Sequence, residues 1–210
     1  MSHVDYPVCL RLNGRRVLLV GAGAIAESRA IDLVAAGALL TVIAPTASAA
    51  VADLARDGAL DWQQRQANDN DVASFELVFV ATDDTDVSAR IAGAARRARV
   101  WVNTADVPAL CDFTLPSVGR RGPITVAVST SGTAPALARK LRAQLIALVD
   151  ERHAELARLV GFLRGRLPAG PSRMRLLTSV VDGDVGAALL SGHRRQAFAA
   201  LRDTLQQEQT

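Results

Sequence analysis

The sequence predicts an α/β protein, and two observations lead to this fold class. Short apolar runs alternate with helical patterns as far as about residue 103, an order that favours a parallel, doubly wound sheet of the Rossmann type. Beyond about residue 112 come two strand-like runs, and after them only helical patterns. We therefore predict a Rossmann-type sheet domain at 1–112, a small strand-helix segment at 113–149 and a helical domain at 150–210.

The elements of the first part follow from the apolar pattern. An apolar run at 16–20 stops at a glycine turn, a helical pattern extends to Gly37, and a second buried run at 39–43 stops before Pro45. A strand, a turn, a helix and a strand in this order form a βαβ unit. The other strands are predicted at 60–63, 77–80 and 100–103, and the other helices at 49–56 and 87–98.

The later elements follow from glycine and proline breaks as well as from periodicity. Two strand-like runs are predicted to pair, because the segment between them has the glycine and proline of a turn. The strands are predicted at 113–118 and 124–129, with the turn at 119–123. Helices are predicted at 134–149, 154–166 and 172–181, with a short one from Asp184 and a last one after Gly192.

Composition and charge narrow the class of protein. The residues are 50% hydrophobic and 21% charged, as in ordinary globular proteins. No apolar stretch approaches the roughly 20 residues of a membrane helix, and the first residues lack the pattern of a secretory signal. A net charge of +3 is too small to indicate a nucleic-acid partner. The sequence therefore predicts a cytoplasmic protein with no membrane or nucleic-acid partner.

Several kinds of site are disfavoured by what the sequence lacks. Cys9 and Cys111 are far apart and are expected to be free thiols. The histidines His3, His153 and His193 have no metal-ligand spacing, so no metal site is predicted. A nucleophile elbow and a Walker A loop are also missing, which disfavours hydrolases and NTPases.

A glycine motif after the first strand predicts a dinucleotide site. Gly21-Ala22-Gly23-Ala24-Ile25-Ala26 matches the G-x-G-x-x-G/A fingerprint. Gly21 permits a tight turn, Gly23 lets the backbone approach a pyrophosphate, and the following helix directs its N-terminus at the phosphates. The preceding strand and the following helix supply the context that this motif requires, which favours a cofactor site over a plain βα turn. Gly21, Gly23, Ala24 and Ile25 are thus predicted to contact the cofactor.

The residues at the end of the second strand do not show whether the cofactor is NAD or NADP. An acid for the ribose 2′-hydroxyl is expected at its end, but Ala44-Pro45 stands there, so the pattern selects neither NAD nor NADP. The ribose is expected to be held instead by backbone groups near Ala44 or by the loop Thr82-Asp83-Asp84, because this loop lies at the carboxyl end of a strand, where ligands of open α/β sheets gather. An equally good interpretation makes Asp83 or Asp84 the N-cap of the next helix.

Two further loops carry candidate residues. Asn103 and Asp106 follow the fifth strand, where a carboxylate beside a nicotinamide can act as a general acid or base. The simpler alternative is that Asp106 only initiates a turn before Val107-Pro108. The loop 129–133, Ser-Thr-Ser-Gly-Thr, either binds an anion or caps the next helix, and capping by Ser131 or Thr133 is favoured.

Together these motifs resemble the precorrin-2 dehydrogenase / sirohydrochlorin ferrochelatase module of sirohaem synthases. The resemblance extends in order from about Tyr6 to Val149. Two departures stand out: Ser28-Arg29 replaces the Arg-Lys pair of many relatives, and Ser131 replaces a glycine. The blocks that carry the resemblance are Gly14–Gly23, Ala44-Pro45, Ala81–Asp84, Val102-Asn103, Cys111–Phe113 and Val126–Pro135.

The resemblance implies a reaction and a set of roles. The reaction is the oxidation of precorrin-2 to sirohydrochlorin with NAD⁺ as hydride acceptor, followed in many members by Fe²⁺ insertion to give sirohaem. Asp106 corresponds to the essential aspartate, which takes protons from the macrocycle, and the family forms a homodimer through the segment around 114–149. The resemblance places Ala44-Pro45 near the adenosine, Thr82 and Asp83 near the ribose or nicotinamide, and Ser129, Thr130 and Ser131 beside the macrocycle. Arginines suit the carboxylates of this substrate, and the candidates are Arg120, Arg121, Arg139 and Arg142.

Two other functions are consistent with parts of the sequence. A non-catalytic NAD-sensing module that regulates a partner protein would need the glycine motif but not the block 111–142. A dehydrogenase that leaves iron insertion to a separate chelatase would have the same residues, because one aspartate serves both steps. The product formed from precorrin-2, NAD⁺ and Fe²⁺ distinguishes the three.

Overall fold

The computed structural model describes residues 5–207, and its first unit, Met1–Leu115, is built on a five-stranded parallel sheet. The strands are β1 (Arg16–Val20), β2 (Leu39–Ile43), β3 (Asp61–Gln63), β4 (Leu77–Val80) and β5 (Trp101–Thr104). Their order in the sheet is β3-β2-β1-β4-β5. The chain thus reverses its direction of winding between β1 and β4, which is where open α/β sheets bind ligands. The predicted Rossmann-type sheet is confirmed.

Helices cover both faces of this sheet. They are α1 (Ala24–Ala35), α2 (Ala49–Arg56) and α3 (Thr85–Arg97). Val17 and Leu19 of β1 pack under α1 and α2, whereas Leu18 and Val20 face α3. Because both faces are buried, β1 is a continuous apolar run rather than an alternating one. Complete burial of a leucine such as Leu18 or Leu19 contributes about 1.5–3 kcal/mol.

Two short helices of this unit were not predicted. They are 3-10 turns at Asp69–Ser74 and Pro108–Leu110. Their residues show no apolar periodicity. The first is fixed instead by a capping box, in which the Asn68 N–H donates to Asp71 Oδ2 at 2.7 Å and the Asn70 N–H donates to Asn68 Oδ1 at 3.0 Å. Polar capping of this kind depends on local hydrogen bonds and gives no hydrophobic signal.

The second unit, Pro116–Thr210, combines a strand pair with a set of helices. The antiparallel strands β6 (Ser117–Arg121) and β7 (Ile124–Val128) pack against α4 (Pro135–Ala147), whose Ile146 approaches Gly119. A separate apolar cluster that includes Leu163 and Val180 holds the remaining helices together. These are α5 (Glu151–Arg166), α6 (Pro171–Asp182), α7 (Asp184–Leu190) and α8 (Arg194–Gln207).

The predicted strand at 113–118 and the turn at 119–123 are wrong. The strand β6 begins at Ser117 and extends to Arg121, so that Gly119 pairs with Val126 and only Gly122-Pro123 forms the turn. Residues before Ser117 cannot continue the ladder, because the Phe113 carbonyl is taken by a side chain of the first unit and Pro116 has no N–H. The division of the chain at 112 and 149 stays a prediction.

Within residues 5–207, no helix combines the length and the apolar character that a membrane span needs.

Candidate dinucleotide site and the Asp106 loop

The loops after four strands meet at the carboxyl edge of the sheet. The Gly21 N–H donates to the Ile43 carbonyl at 3.0 Å, which joins the ends of β1 and β2. The Ala81 N–H donates to Val20 O and the Ala105 N–H donates to Val80 O, both at 2.8 Å. The residues that follow β1, β2, β4 and β5 therefore lie side by side, as the sequence predicts for a ligand-binding edge.

The glycine loop has the shape that a dinucleotide phosphate requires. Gly21 has a φ of +101°, and a Cβ on it would lie 2.1 Å from the Ala81 carbonyl oxygen, so no side chain fits there. Gly23 is the N-cap residue of α1, has no side-chain cap, and would place a Cβ in open space. The first N–H groups of α1, beginning at the exposed Ala24 and Ile25, lack intrahelical acceptors and form the positive end of the helix dipole. This open, uncapped helix start fits a pyrophosphate.

The end of β2 is held by its neighbour β3. The Ala44 N–H donates to Gln63 O at 3.3 Å, and the Trp62 Nε1–H donates to Ala44 O at 3.0 Å. The backbone groups of the buried Ala44 are thus already engaged, whereas Pro45 is exposed. Sequence reasoning missed Trp62, although its indole N–H needs an acceptor when partly buried.

The hydrogen bonds of the loop after β4 show which of its aspartates caps the next helix. The Asp84 Oδ1 accepts from the N–H groups of Asp86 and Val87, each at 3.0 Å, so Asp84 caps α3 as the capping interpretation predicts. The Thr82 hydroxyl accepts from the Asp84 N–H at 3.3 Å. Asp83 is exposed, and its side chain makes no hydrogen bond or ion pair within residues 5–207. Thr82 and Asp83 thus stay predicted ribose contacts.

Asp106 lies in a tight turn that directly follows β5. Its φ is +57°, in the left-handed region that residues other than glycine, asparagine and aspartate avoid. Its exposed carboxylate makes no hydrogen bond or ion pair within the described residues. Asp106 is therefore a turn residue, as the simpler alternative has it, and also a carboxylate open to a reactant. The neighbouring Asn103 uses its Nδ2–H to donate to Phe113 O at 2.8 Å.

The substituted residue Arg29 packs within the first unit. Its guanidinium lies over the Phe79 ring, 5.5 Å from the centroid, and Phe79 meets Phe113 edge-on at 5.6 Å. Burial lowers the pKa of Arg29, against the raising effect of the Asp32 charge. At the departure Ser28-Arg29, the arginine therefore makes a cation–π packing contact with Phe79 of β4.

The loop 129–133 is fixed by its own hydroxyl groups. The Ser129 hydroxyl accepts from the Ser131 N–H, and the Thr130 hydroxyl accepts from the Ala134 N–H, both at 3.1 Å. The prediction that Ser131 or Thr133 caps α4 is wrong: the N-cap residue is Ala134 without a side-chain bond, and Thr133 instead donates to Thr130 O at 2.6 Å. Ser131 has a φ of +47°, in the left-handed region that favours glycine, the residue of the family pattern at this position.

The two predicted arginines of α4 differ in their surroundings. Arg142 donates from Nε to the Ser117 hydroxyl at 3.5 Å, and its stem packs over Gly119, so it also braces the strand pair. Arg139 is exposed and makes no hydrogen bond or ion pair within residues 5–207, which leaves its whole guanidinium for an anion. Across the same described residues, no group of three or more His, Cys, Asp or Glu side chains is placed to hold a metal ion.

The fold and the glycine loop define a Rossmann-type NAD(P)-binding protein. Residues 8–117 match the family model described as "Putative NAD(P)-binding" (NAD_binding_7), and residues 121–148 match the one described as "Sirohaem biosynthesis protein central". The chain belongs to this NAD(P)-binding family, and its resemblance to the sirohaem synthase module is confirmed.

Individual relatives agree with this assignment. The sirohaem synthase of Methylococcus capsulatus is 37% identical over 203 residues, which are 94% of this chain and 43% of the relative. Siroheme synthase 3 of Aeromonas hydrophila is 40% identical over 200 residues, 92% of this chain and 43% of the relative. The chain thus spans less than half the length of these curated relatives.

One solved structure resembles the whole chain. It is described as SirC, a precorrin-2 dehydrogenase, and has 28% sequence identity and a TM-score of 0.74. The alignment covers 97% of this chain and 98% of that one. The predicted fold class, including the strand pair and the helices after the sheet, is confirmed.

Proposed function

We propose that this protein is an NAD-dependent precorrin-2 dehydrogenase, which oxidises precorrin-2 to sirohydrochlorin. One observation carries the proposal: an open dinucleotide loop and an unpaired, exposed carboxylate, Asp106, follow strands of one sheet at the same edge. The likeness to a precorrin-2 dehydrogenase along its entire length supports the choice of substrate.

The proposed reaction removes a hydride and a proton from the substrate. When bound, NAD⁺ supplies the hydride acceptor. The Asp106 carboxylate takes the proton, and the N–H groups at the start of α1 hold the pyrophosphate. Arg139 and Arg142 bind substrate carboxylates, and the loop Ser129-Thr130-Ser131 contacts the macrocycle through its hydroxyl and N–H groups. The products are sirohydrochlorin, NADH and one proton.

The test is to mix the protein with precorrin-2 and NAD⁺ and to follow NADH and sirohydrochlorin. We expect both to accumulate together, in equal amounts. NADH formation no faster than in a protein-free control would overturn the proposal. Binding of NADH without turnover of precorrin-2 would instead support the alternative, an NAD-sensing module that regulates a partner protein.

We extend the proposal to insertion of Fe²⁺ into sirohydrochlorin. Here Fe²⁺ is a substrate: it replaces two pyrrole N–H protons, and Asp106 takes them in turn. The expected result is an Fe²⁺-dependent change of the sirohydrochlorin spectrum that the protein accelerates. Equal rates with and without the protein would restrict the function to the dehydrogenase.

We propose that NAD is preferred over NADP because a nearby arginine is neutralised. Arg65 follows β3, next to the end of β2, where an arginine would accept a 2′-phosphate. Its two Nη groups donate to Asp71 at 2.8 and 2.7 Å, and one also donates to the Gln63 side chain at 2.7 Å. The hydrogen bond from Arg65 lowers the pKa of Asp71, so the pair is ionised at neutral pH.

The Asp71→Asn variant is therefore expected to bind NADPH about tenfold more tightly, because a freed guanidinium gains a charge-assisted contact. Its affinity for NADH should change little. Fluorescence titration of each dinucleotide, without substrate, measures both constants. Asp69→Asn is the matched control, since Asp69 lies in the same 3-10 helix but pairs with Arg90 and Arg97. An unchanged NADPH affinity in Asp71→Asn would contradict the explanation.

We further propose that the protein is a homodimer through the segment around 114–149. Leu137, Leu141, Leu145 and Leu148 lie on one face of α4 or at its end, and they are 49%, 37%, 44% and 73% exposed. The adjoining side of α4, which includes the buried Ala138 and the residues Arg142 and Ile146 over Gly119, packs on β6 and β7. A second copy of this stripe would bury the leucines, as in other helix-pair interfaces.

The double variant Leu141→Glu/Leu145→Glu is expected to be a monomer, because it places like charges in that contact. Light scattering coupled to size-exclusion chromatography measures the mass. Ala143→Glu is the control, since Ala143 is exposed on α4 but lies away from the leucine stripe. A monomeric wild-type protein, or a double variant that stays dimeric, would contradict the proposal.

The other predictions from the sequence concern location and partners. A cytoplasmic location and the lack of a nucleic-acid partner stay predictions. Fractionation of cells that produce the tagged protein, and nuclease treatment of the purified protein, test them.

A further inference from the structure

The strand β5 lies at the edge of the sheet, and its free edge is closed by a few residues that follow the Asp106 turn. The Asp112 N–H donates to Val102 O at 2.8 Å, and the Asp112 Oδ2 accepts from the Val102 N–H at 3.0 Å. One residue thus satisfies both backbone groups of Val102, as a neighbouring strand would. The Nε–H of Arg96, a residue of α3, donates to the other carboxylate oxygen of Asp112 at 3.0 Å.

Cys111 likewise bonds to both backbone groups of Thr104, the last residue of β5. Its Sγ accepts from the Thr104 N–H at 3.2 Å, and its S–H has the Thr104 carbonyl at 3.1 Å and the Val107 carbonyl at 3.4 Å as acceptors. Asn103 adds its bond to Phe113 O at 2.8 Å. We call Asn103, Cys111, Asp112 and Phe113 the β5 clasp.

The β5 clasp ties the two ends of a short loop that contains Asp106. The loop leaves β5 at Ala105, passes through Asp106 and the 3-10 turn Pro108–Leu110, and returns at Cys111. Asp106 has a left-handed φ of +57°, which aspartate tolerates better than most residues, so contacts at the two ends of the loop are needed to fix where its carboxylate points. In this loop the contacts that reach both ends are those of the β5 clasp.

We infer that Cys111 is a positioning residue for Asp106, and that its thiol acts as a hydrogen-bonding partner of Thr104 and Val107 and takes no part in the chemistry itself. The inference rests on the proposed function, since it assigns the orientation of the Asp106 carboxylate to the β5 clasp. A thiol both accepts and donates here, so alanine removes both bonds, whereas serine keeps one donor and the acceptor lone pairs.

The test compares Cys111→Ala with Cys111→Ser in the full chain, and Cys9→Ala is the matched control because Cys9 is an exposed free cysteine. In Cys111→Ala we expect kcat for precorrin-2 to fall about tenfold or more, since a misplaced catalytic group loses rate steeply. The KM for NAD⁺ and the affinity for NADH should stay unchanged. Cys111→Ser should recover most of kcat.

Two further measurements separate positioning from a general loss of structure. Hydrogen exchange should become about tenfold faster at the backbone amides from Thr104 to Val107 in Cys111→Ala, and stay unchanged in β1. In an Asp106→Asn background, Cys111→Ala should cost no further activity, because the group that it positions is already gone.

Several outcomes overturn the inference. These are unchanged amide exchange, a serine variant as impaired as alanine, or a loss of activity that adds to that of Asp106→Asn. Failure of the proposed function is distinguishable, because it appears as a lack of NADH formation by the wild-type protein. The exchange measurement needs no substrate and reports on the β5 clasp in either case.

Discussion

Replacing Asp106 by asparagine is expected to lower kcat for precorrin-2 oxidation by about 10²- to 10⁴-fold, the usual contribution of a general acid or base. Asparagine has nearly the same shape and adopts left-handed φ values readily, so the turn at φ +57° should be kept. The substitution therefore removes the charge and the proton acceptor but leaves the loop intact. If Asp106 also serves Fe²⁺ insertion, both activities should fall together.

The measurement is steady-state NADH formation at saturating NAD⁺, with the affinity for NADH determined separately. That affinity should be unchanged, since Asp106 follows β5 and the pyrophosphate site lies at the start of α1. Asp57→Asn is the matched control, because Asp57 is an exposed residue at the end of α2. An Asp106→Asn protein with full activity would remove Asp106 from its proposed role.

The second large effect concerns the glycine loop, where one substitution should destabilise the fold and a similar one should leave the fold intact but weaken dinucleotide binding. Gly21→Ala places a Cβ 2.1 Å from the Ala81 carbonyl oxygen at a φ of +101°. Both the overlap and the left-handed backbone oppose it, and we expect a loss of about 2–5 kcal/mol in the free energy of unfolding of the first unit. Thermal and denaturant unfolding followed by circular dichroism measure this loss.

Gly23→Ala should fold normally and bind dinucleotide poorly. Gly23 has a φ of −79°, which alanine adopts, and an added Cβ meets no protein atom within 4 Å. The same methyl group occupies the open space at the start of α1, where the pyrophosphate must approach the backbone. We expect NADH binding about 10- to 100-fold weaker, or about 1.4–2.7 kcal/mol, at unchanged stability.

These two variants control for each other, since both add one methyl group to the same loop. A Gly23→Ala protein that binds NADH as the wild type does would place the pyrophosphate elsewhere. A stable Gly21→Ala protein would show that the β1 turn can move away from Ala81.

Much of the first unit could be predicted because its signals are local. The apolar run at Arg16–Val20 is buried on both faces, so it stands out from the helices as a continuous strand. The turn at Gly21 and the helix after Gly23 follow from short-range backbone requirements. The sequence also marked Asp106 and Asn103, since they come directly after a strand of a parallel sheet.

Two of the features that were missed or misplaced depend on contacts between different segments of the chain, and one depends on a nearby hydroxyl group. The predicted strand at 113–118 has a strand-like composition, but the hydrogen bond of Phe113 to Asn103 takes its first residue out of any ladder. The cap predicted at Ser131 or Thr133 did not form, because the Thr130 hydroxyl, four residues before Ala134, accepts the N–H of this N-cap residue. Trp62 also escaped notice, since its partner Ala44 lies on another strand.

By itself the sequence determined the fold class, the dinucleotide loop and the family, because strand and helix periods and the glycine turn are fixed by neighbouring residues. Only the tertiary structure decided which polar side chains form hydrogen bonds within the protein and which remain available to a ligand. Asp112 and Cys111 bond to backbone groups of β5, whereas the side chains of Asp83, Asp106 and Arg139 make no hydrogen bond or ion pair within the described residues. The physical reason is that these hydrogen bonds form only where two segments of the chain come together at the edge of the sheet. The local sequence does not show which segments do so.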